Sequence, residues 1–220
     1  MKIVFAEQRK TMHNDIFALA QTKTLFLGTN NRKKIVELVH LLKPRGFEIK
    51  VPADFADTYD VDETGTTFLE NARLKASSQA KHRGLWSIGE DSGLCVPALD
   101  GRPGIYSARF SGANANDQSN NALLLKEMIA LPAENRRAYY VSTIALSDPE
   151  GRIHIETQGE CWGCILMEPR GTGGFGYDPL FEIAEYHQTF AEMGLGVKRA
   201  ISHRAIALRA FLARLDEKTT

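Results

Sequence analysis

"TLFLGTNNRKKIVELVHLLKPRG", residues 24–46, is the stretch whose reading decides the fold. It opens with "TLFLGT", a short apolar run ending in Gly28-Thr29, which by length and punctuation is a buried strand. Directly behind it Ile35, Leu38, Val39 and Leu42 recur at helical spacing. Asn30 or Asn31 can cap that helix, and Pro44 and Gly46 close it. A buried strand feeding straight into a helix is how an α/β fold begins.

Outward from there the alternation continues. "FEIKV" (47–51) reads as a second strand, and an Asp-rich loop leads to a helix in "TTFLENARLKASSQAKHRG", where Thr67 and Glu70 have capping-box spacing. "LWSIG" is a third strand, expected to stop where Glu90 and Asp91 begin. "LCVPALDGRPGIYSARFSG" reads as extended segments around Pro and Gly turns, and "NDQSNNALLLKEMIALP" as a helix capped by Asn116 or Asp117. Residues 136–166 give two long strands joined by Asp148-Pro149-Glu150-Gly151, a hairpin, before the glycine-dense loop "EPRGTGGFGYDPLF". In the last helix, "SHRAIALRAFLARLDEK", a stripe of Ile201, Ala205, Leu208, Leu212 and Leu215 faces the core. Early strand–helix alternation followed by a hairpin implies α/β with a mixed sheet. Residues 24–217 are expected to form one domain, with two lobes and a cleft; 1–23 read as an extension and 218–220 as a tail.

Composition narrows the function. Lys plus Arg and Asp plus Glu balance at 27 each, so no overall field draws the chain to nucleic acid or to an acidic membrane. No apolar run approaches the ~20 residues of a bilayer span. The first 23 residues lack the apolar stretch and small-residue cleavage site of a signal peptide. Three cysteines, Cys95, Cys161 and Cys164, are an odd number in a chain with 43% hydrophobic residues to build a core, so a reducing cytoplasm is expected. "CWGC" has C-x-x-C spacing but sits in an alternating strand-like segment with no second Cys/His pair, and reads as ordinary strand cysteines.

Five constellations carry chemistry. Arg32, Lys33 and Lys34 occupy a first helical turn, where the macrodipole disfavours cations; with Thr29, Asn30 and Asn31 they suit a phosphate, or are a capped helix with a basic face. Asp60, Asp62 and Glu63 precede Thr64-Gly65 and a helix start, and either bind Mg²⁺ or favour that helix end. Glu70 is explained by its capping box. Asp91 with Ser92 and Gly93 reads equally as a ligand site at a strand end and as an Asx-turn. Gly171, Gly173 and Gly176 match G-x-G-x-x-G, but Tyr177, Asp178 and Pro179 stand where a dinucleotide site needs a helix; with Phe175 or Tyr177 the loop suits a nucleobase better. Finally His203 and Arg204 sit in the first turn of a helix that Ser202 can cap, with Lys198 upstream.

Together these motifs resemble the Ham1-like inosine triphosphate pyrophosphatase family. T-x-N-x-x-K-x-x-E is met at Thr29, Asn31, Lys34 and Glu37, and E-T-G-x-T-F-x-E-N-A-x-x-K-A from Glu63 to Ala76. D-S-G-L falls at 91–94, G-x-P-G-x-Y-S-A-R at 101–109, G-F-G-Y-D-P at 174–179 and I-S-H-R at 201–204. The resemblance implies an ITPase-like α/β fold with a long mixed sheet flanked by helices, two lobes around a central cleft, and a homodimer. It implies Mg²⁺-dependent hydrolysis of ITP, dITP and XTP to the monophosphate and pyrophosphate. In that scheme Asp91 binds Mg²⁺ and acts as general base, and Glu63 or Asp62 completes the metal site. Thr29, Asn30, Asn31, Arg32, Lys33, Lys34, Ser92 and Lys198 hold phosphates and sugar. Phe175, Gly176, Tyr177 and Asp178 form the base pocket with His203 and Arg204. Three places depart from the pattern: Glu90 stands where relatives usually carry a second Asp, Asp62 where many carry Glu, and "MGLGVKRAISHR" lacks the acidic residues that commonly precede the family lysine. Beside this reading stand a Maf-type pyrophosphatase of modified pyrimidine nucleotides, which should lack the glycine-loop and S-H-R motifs, and a nucleotide-binding regulator without turnover.

Overall fold

A computed structural model describes residues 16, 19, 21–57 and 59–219. The described residues form a seven-stranded sheet in the order β2-β1-β3-β4-β5-β6-β7. β1 (Thr24–Leu27) leads into α1 (Arg32–Leu42), then β2 (Glu48–Lys50), α2 (Phe68–Arg83) and β3 (Ser87–Cys95). β1 runs parallel to both β2 and β3, with Leu25 opposite Ile49 and Leu27 opposite Ile88. After α3 (Asp117–Glu127), β4 (Arg137–Ser147) and β5 (Ile153–Ile165) are sheet neighbours joined by a turn in which Asp148 N–H donates to the Arg152 carbonyl at 3.0 Å. β6 (Phe181–Ile183) and β7 (Gln188–Thr189) extend the sheet in antiparallel fashion, and α4 (Gly194–Ile201) and α5 (His203–Thr219) close the chain. Parallel and antiparallel pairs in one sheet, with helices, make the mixed α/β fold that the strand–helix alternation implied.

The chain divides into two compact units. The first takes in the described residues through Asp91, Thr143–Gln158 and the described residues from Ala207 on; the second is Ser92–Ser142 with Gly159–Ile206. Each has its own apolar core. In the first, Leu25, Leu27, Leu38, Leu42, Ile88 and Phe211 pack together, and Ile16 and Leu19 join them, so the N-terminal stretch is tied into the core at those two residues. In the second the core gathers Leu94, Leu124, Tyr140, Phe181 and Phe190. The remainder of the expected extension, residues 1–15, 17, 18 and 20, lies outside the described residues. No helix among the described residues is long and apolar enough to cross a membrane.

Several local expectations are corrected. β3 does not stop before the acids but runs on to Cys95, so Glu90 and Asp91 lie inside a buried strand and no Asx-turn forms at Asp91-Ser92-Gly93. "LCVPALDGRPGIYSARFSG" is extended through Val96 and bridges back to Cys95 at Pro103, but the rest of it is two 3₁₀ segments, Pro97–Leu99 and Gly104–Arg109, rather than extended chain. Ile201 belongs to α4 rather than to the last helix; Ala205, Leu208, Leu212 and Leu215 are the buried stripe of α5. The strand reading of "CWGC" holds: both cysteines are free and lie in β5, where residues three apart point to opposite faces and cannot share a metal or a disulfide.

α2 lies unusually close to β3, and the reason is Gly89. A Cβ there would sit 2.1 Å from the Ala72 carbonyl oxygen and 2.4 Å from the Ala76 nitrogen. Backbone atoms cannot swing away as a flexible side chain can, so Gly89→Ala is expected to lower the unfolding free energy by about 3 kcal/mol. A urea midpoint that corresponds to a loss below about 1 kcal/mol would contradict this packing.

Candidate functional site

In the first unit the site grows from the N-terminus of α1 and the facing sides of α2 and β3. Asn31 caps α1, its side-chain oxygen accepting from the Lys33 and Lys34 amides at 3.0 and 3.3 Å. Thr29 Oγ1 accepts from Asn31 N–H at 3.2 Å, and Asn30 Nδ2 donates to Asp60 at 2.8 Å. These three side chains therefore shape the turn, while Arg32 and Lys33 stay exposed. Lys34 reaches Glu90 at 2.8 Å. Glu90, only 2% exposed, thus meets a cation from α1, which answers what an acid does in the middle of β3.

Asp91, 5% exposed, is met from α2. Lys75 Nζ lies 2.8 Å from Asp91 Oδ1, 3.0 Å from Glu63 Oε2 and 3.4 Å from the Glu90 carbonyl. Three acceptors match the three N–H bonds of one ammonium. Asn71 Nδ2 donates to the other Asp91 oxygen at 3.3 Å. Burial raises the Asp91 carboxyl above the ordinary aspartate range, with Glu63 adding to it, against the pull of Lys75 and Lys34. Burial likewise opposes the Lys75 charge, but Asp91 and Glu63 outweigh it and hold that ammonium above its ordinary value. Of the two acids considered beside Thr64, Glu63 joins this centre and Asp62 is exposed. Glu70 accepts from the Thr66 and Thr67 amides, as its capping box requires.

Among the described residues no group of three or more His, Cys, Asp or Glu is arranged to hold an ion. Asp91 and Glu63 share one ammonium instead. Two hard oxygen donors fit Mg²⁺, which binds through one or two carboxylates and keeps waters and substrate oxygens for the rest of its shell.

The second unit holds an aromatic and cationic group. Asp178 is buried and accepts from Lys198 and from the Phe175 amide, the latter at 2.8 Å. Lys198 Nζ stands 4.5 Å from the centre of the Phe175 ring and 5.4 Å from that of Phe190. Arg204, 5.9 Å from the same Phe175 ring, donates to Ser92 Oγ at 3.0 Å. His203 stacks on Tyr140 with centroids 4.7 Å apart and 10° between the planes. Phe175 is half-buried and keeps ring surface open, whereas Tyr177 is buried in the core with its hydroxyl donating to the Ser107 carbonyl at 2.8 Å. The Gly176 carbonyl accepts from Asn121 at 3.1 Å.

Both groups lie on motifs of one family. A model of the Ham1 family matches residues 25–214. The chain belongs to the Ham1 family. A dITP/XTP pyrophosphatase of Rhodopirellula baltica is 47% identical over 191 residues, covering 87% of this chain and 92% of the relative. One of Geobacter sulfurreducens is 49% identical over 184 residues, 84% and 92% of the two chains. Among solved structures, a Ham1 protein from Coxiella burnetii superposes with a TM-score of 0.81 at 36% identity, covering 88% of this chain and 98% of its own. A dITP/XTP pyrophosphatase from Mycobacterium abscessus gives 0.71 at 40% identity, over 87% and 99%.

Two members of the first centre in this Ham1 chain, Lys75 and Asn71, were not singled out as site residues from the sequence. The signal for them is the repeat Asn71-Ala72, Lys75-Ala76, Gln79-Ala80, in which polar residue and alanine recur every four residues. An i, i+4 polar row beside an i, i+4 alanine row marks a helix packed closely on something polar.

A carboxyl raised in the folded state makes folding bind extra protons. Its cost to stability is therefore absent below the unfolded aspartate value, about 4, and grows as pH rises through the folded value. In chelator-containing buffer, the unfolding free energy of the wild type minus that of Asp91→Asn is expected to fall between pH 4 and 7. A difference that rises over that window would contradict the assignment.

Proposed function

We propose that the protein hydrolyses non-standard purine nucleoside triphosphates, ITP, dITP and XTP, to the monophosphate and pyrophosphate; the relatives named dITP/XTP pyrophosphatase support dITP and XTP, and ITP shares their 6-oxo purine edge. The observation that carries the reading is Asp91: a carboxylate buried in β3 and held by Lys75 and Asn71, with burial raising it above the ordinary aspartate range and so making it a stronger base than a free aspartate. Asp91 takes the proton of the attacking water. Lys75 and Lys34, each anchored on an acid, supply fixed positive charge for the phosphates. The exposed Arg32 and Lys33 and the capped N-terminus of α1, with Thr29, Asn30 and Asn31, extend that phosphate-binding surface.

Asp91 and Glu63 would hold Mg²⁺, with Asp62 as an outer partner; when bound the ion neutralises phosphate charge. In the second unit Phe175 offers a stacking face, with Lys198 and Arg204 beside its ring and Asp178 on its amide; Gly176, Ser92 and His203 are the further groups we assign to base and sugar. Donors that read a 6-oxo edge penalise adenine, whose 6-amino group would leave buried donors facing donors. Tyr177 supports this loop from beneath. We further propose a cytoplasmic homodimer with residues 24–217 acting as one catalytic domain.

The direct test incubates the chain with Mg²⁺ and a panel of nucleoside triphosphates and quantifies pyrophosphate and orthophosphate. Pyrophosphate is expected, with ITP and XTP preferred over ATP and GTP; orthophosphate or no preference would overturn the reading. Asp91→Asn is expected to lose about 10²–10⁴-fold in turnover while nucleotide binding survives. Full activity in that variant would remove Asp91 from the mechanism.

A further inference from the structure

Asn71 is completely buried in the second turn of α2, a place where Asn is a poor helix former and where the neighbouring row is alanine. Both ends of its amide are used. Oδ1 accepts from the Gly65 N–H at 2.9 Å, and Nδ2 donates to Asp91 Oδ2 at 3.3 Å. The orientation is fixed, because a backbone N–H can only donate and must face the amide oxygen. The amide nitrogen is then left for the carboxylate, which can only accept while ionised. Gly65 is correspondingly tight: a Cβ there would lie 2.6 Å from Asn71 Oδ1. Gly65 stands two residues after Glu63, the acid that shares Lys75 with Asp91.

We infer that Asn71 is a positioning residue that ties the loop bearing Glu63 to the Asp91 carboxylate, so that the two acids keep one spacing. Lys75 alone cannot do this, since an ammonium on a flexible four-carbon stem attracts both acids without fixing the direction of either. The planar amide, fully buried in α2, sets both directions. The inference rests on the proposed hydrolysis for its kinetic consequence, and on geometry alone for its structural one.

Two variants separate the halves of the tie. Asn71→Ala removes both bonds, and Asn71→Asp keeps an acceptor for Gly65 N–H while replacing the neutral donor with a second carboxyl that must share a proton with Asp91. With ITP and Mg²⁺, kcat is expected to fall about 10–100-fold in both, with KM within about threefold of wild type, as for other groups that orient an active residue without touching substrate. Amide hydrogen exchange, measured without metal or nucleotide, reads the loop directly. The Gly65 amide should exchange at least about tenfold faster in Asn71→Ala and keep its protection in Asn71→Asp. Unchanged kcat in either variant, or unchanged Gly65 exchange in Asn71→Ala, would overturn the inference. If Asn71→Ala does not fold, Asn71→Leu, of nearly equal volume and unable to make either bond, takes its place: reduced kcat with faster Gly65 exchange supports the tie, and wild-type kcat refutes it. A wild type that releases no pyrophosphate would refute the proposed function instead, and the exchange result would still decide the geometry.

Discussion

Burying a carboxylate in the middle of a strand costs several kcal/mol unless a cation meets it, and in this protein Lys75 meets Asp91 at 2.8 Å. The surroundings are arranged so that this contact can form. Gly89, two residues before Asp91, has no Cβ, and the small Ala72 and Ala76 bring α2 down onto β3 at that point. With the helix this close, Asn71 and Lys75, one turn apart on the same face, reach the two oxygens of Asp91. A longer side chain at position 89 would lift the helix and leave the acid without either partner. Packing and electrostatics are thus one constraint.

The neighbouring acid obeys the same rule from the other side. Glu90 precedes Asp91 in the strand and so points to the opposite face, where Lys34 of α1 meets it at 2.8 Å. Two consecutive acids inside β3 are each matched by a lysine from a different helix. The basic first turn of α1, which the macrodipole disfavours, is in part explained by this: Lys34 is the counter-ion of a buried carboxylate. In the second unit Asp178 repeats the pattern with Lys198, and there the ammonium also lies over the Phe175 and Phe190 rings, so the cation–π attraction shares in holding it.

Much of this was legible in the sequence because it is encoded locally. The helices α1, α2 and α3 and their caps at Asn31, Thr67 and Asn116 follow from residue spacing and hydrogen-bonding side chains within a few positions. Lys34, Glu63, Asp91, Phe175 and Arg204 stand in motifs that follow one order along the chain, and Lys198 lies just upstream of the last of them. What local pattern missed depends on partners distant in sequence. Ser92-Gly93 looks like a turn, yet β3 continues through it, since the strand's neighbours and the lysines from α1 and α2 outweigh a local turn preference. Tyr177 looked like a stacking candidate equal to Phe175, and only the fold shows its hydroxyl committed to Ser107, 70 positions away. α4 is hard to read because Gly194, Gly196 and the absence of a capping side chain leave its start unmarked.

The central claim is that Asp91 and Lys75 are a coupled buried pair on which the site depends, and a double-mutant cycle on unfolding free energy tests it most directly. Lys75→Met alone should cost about 3–5 kcal/mol, because it leaves buried carboxylate charge uncompensated. Added to Asp91→Asn it should cost less, giving a coupling energy of at least about 1 kcal/mol between the two positions. Effects that add to within about 0.5 kcal/mol would contradict the account, since residues that do not interact are additive to that degree.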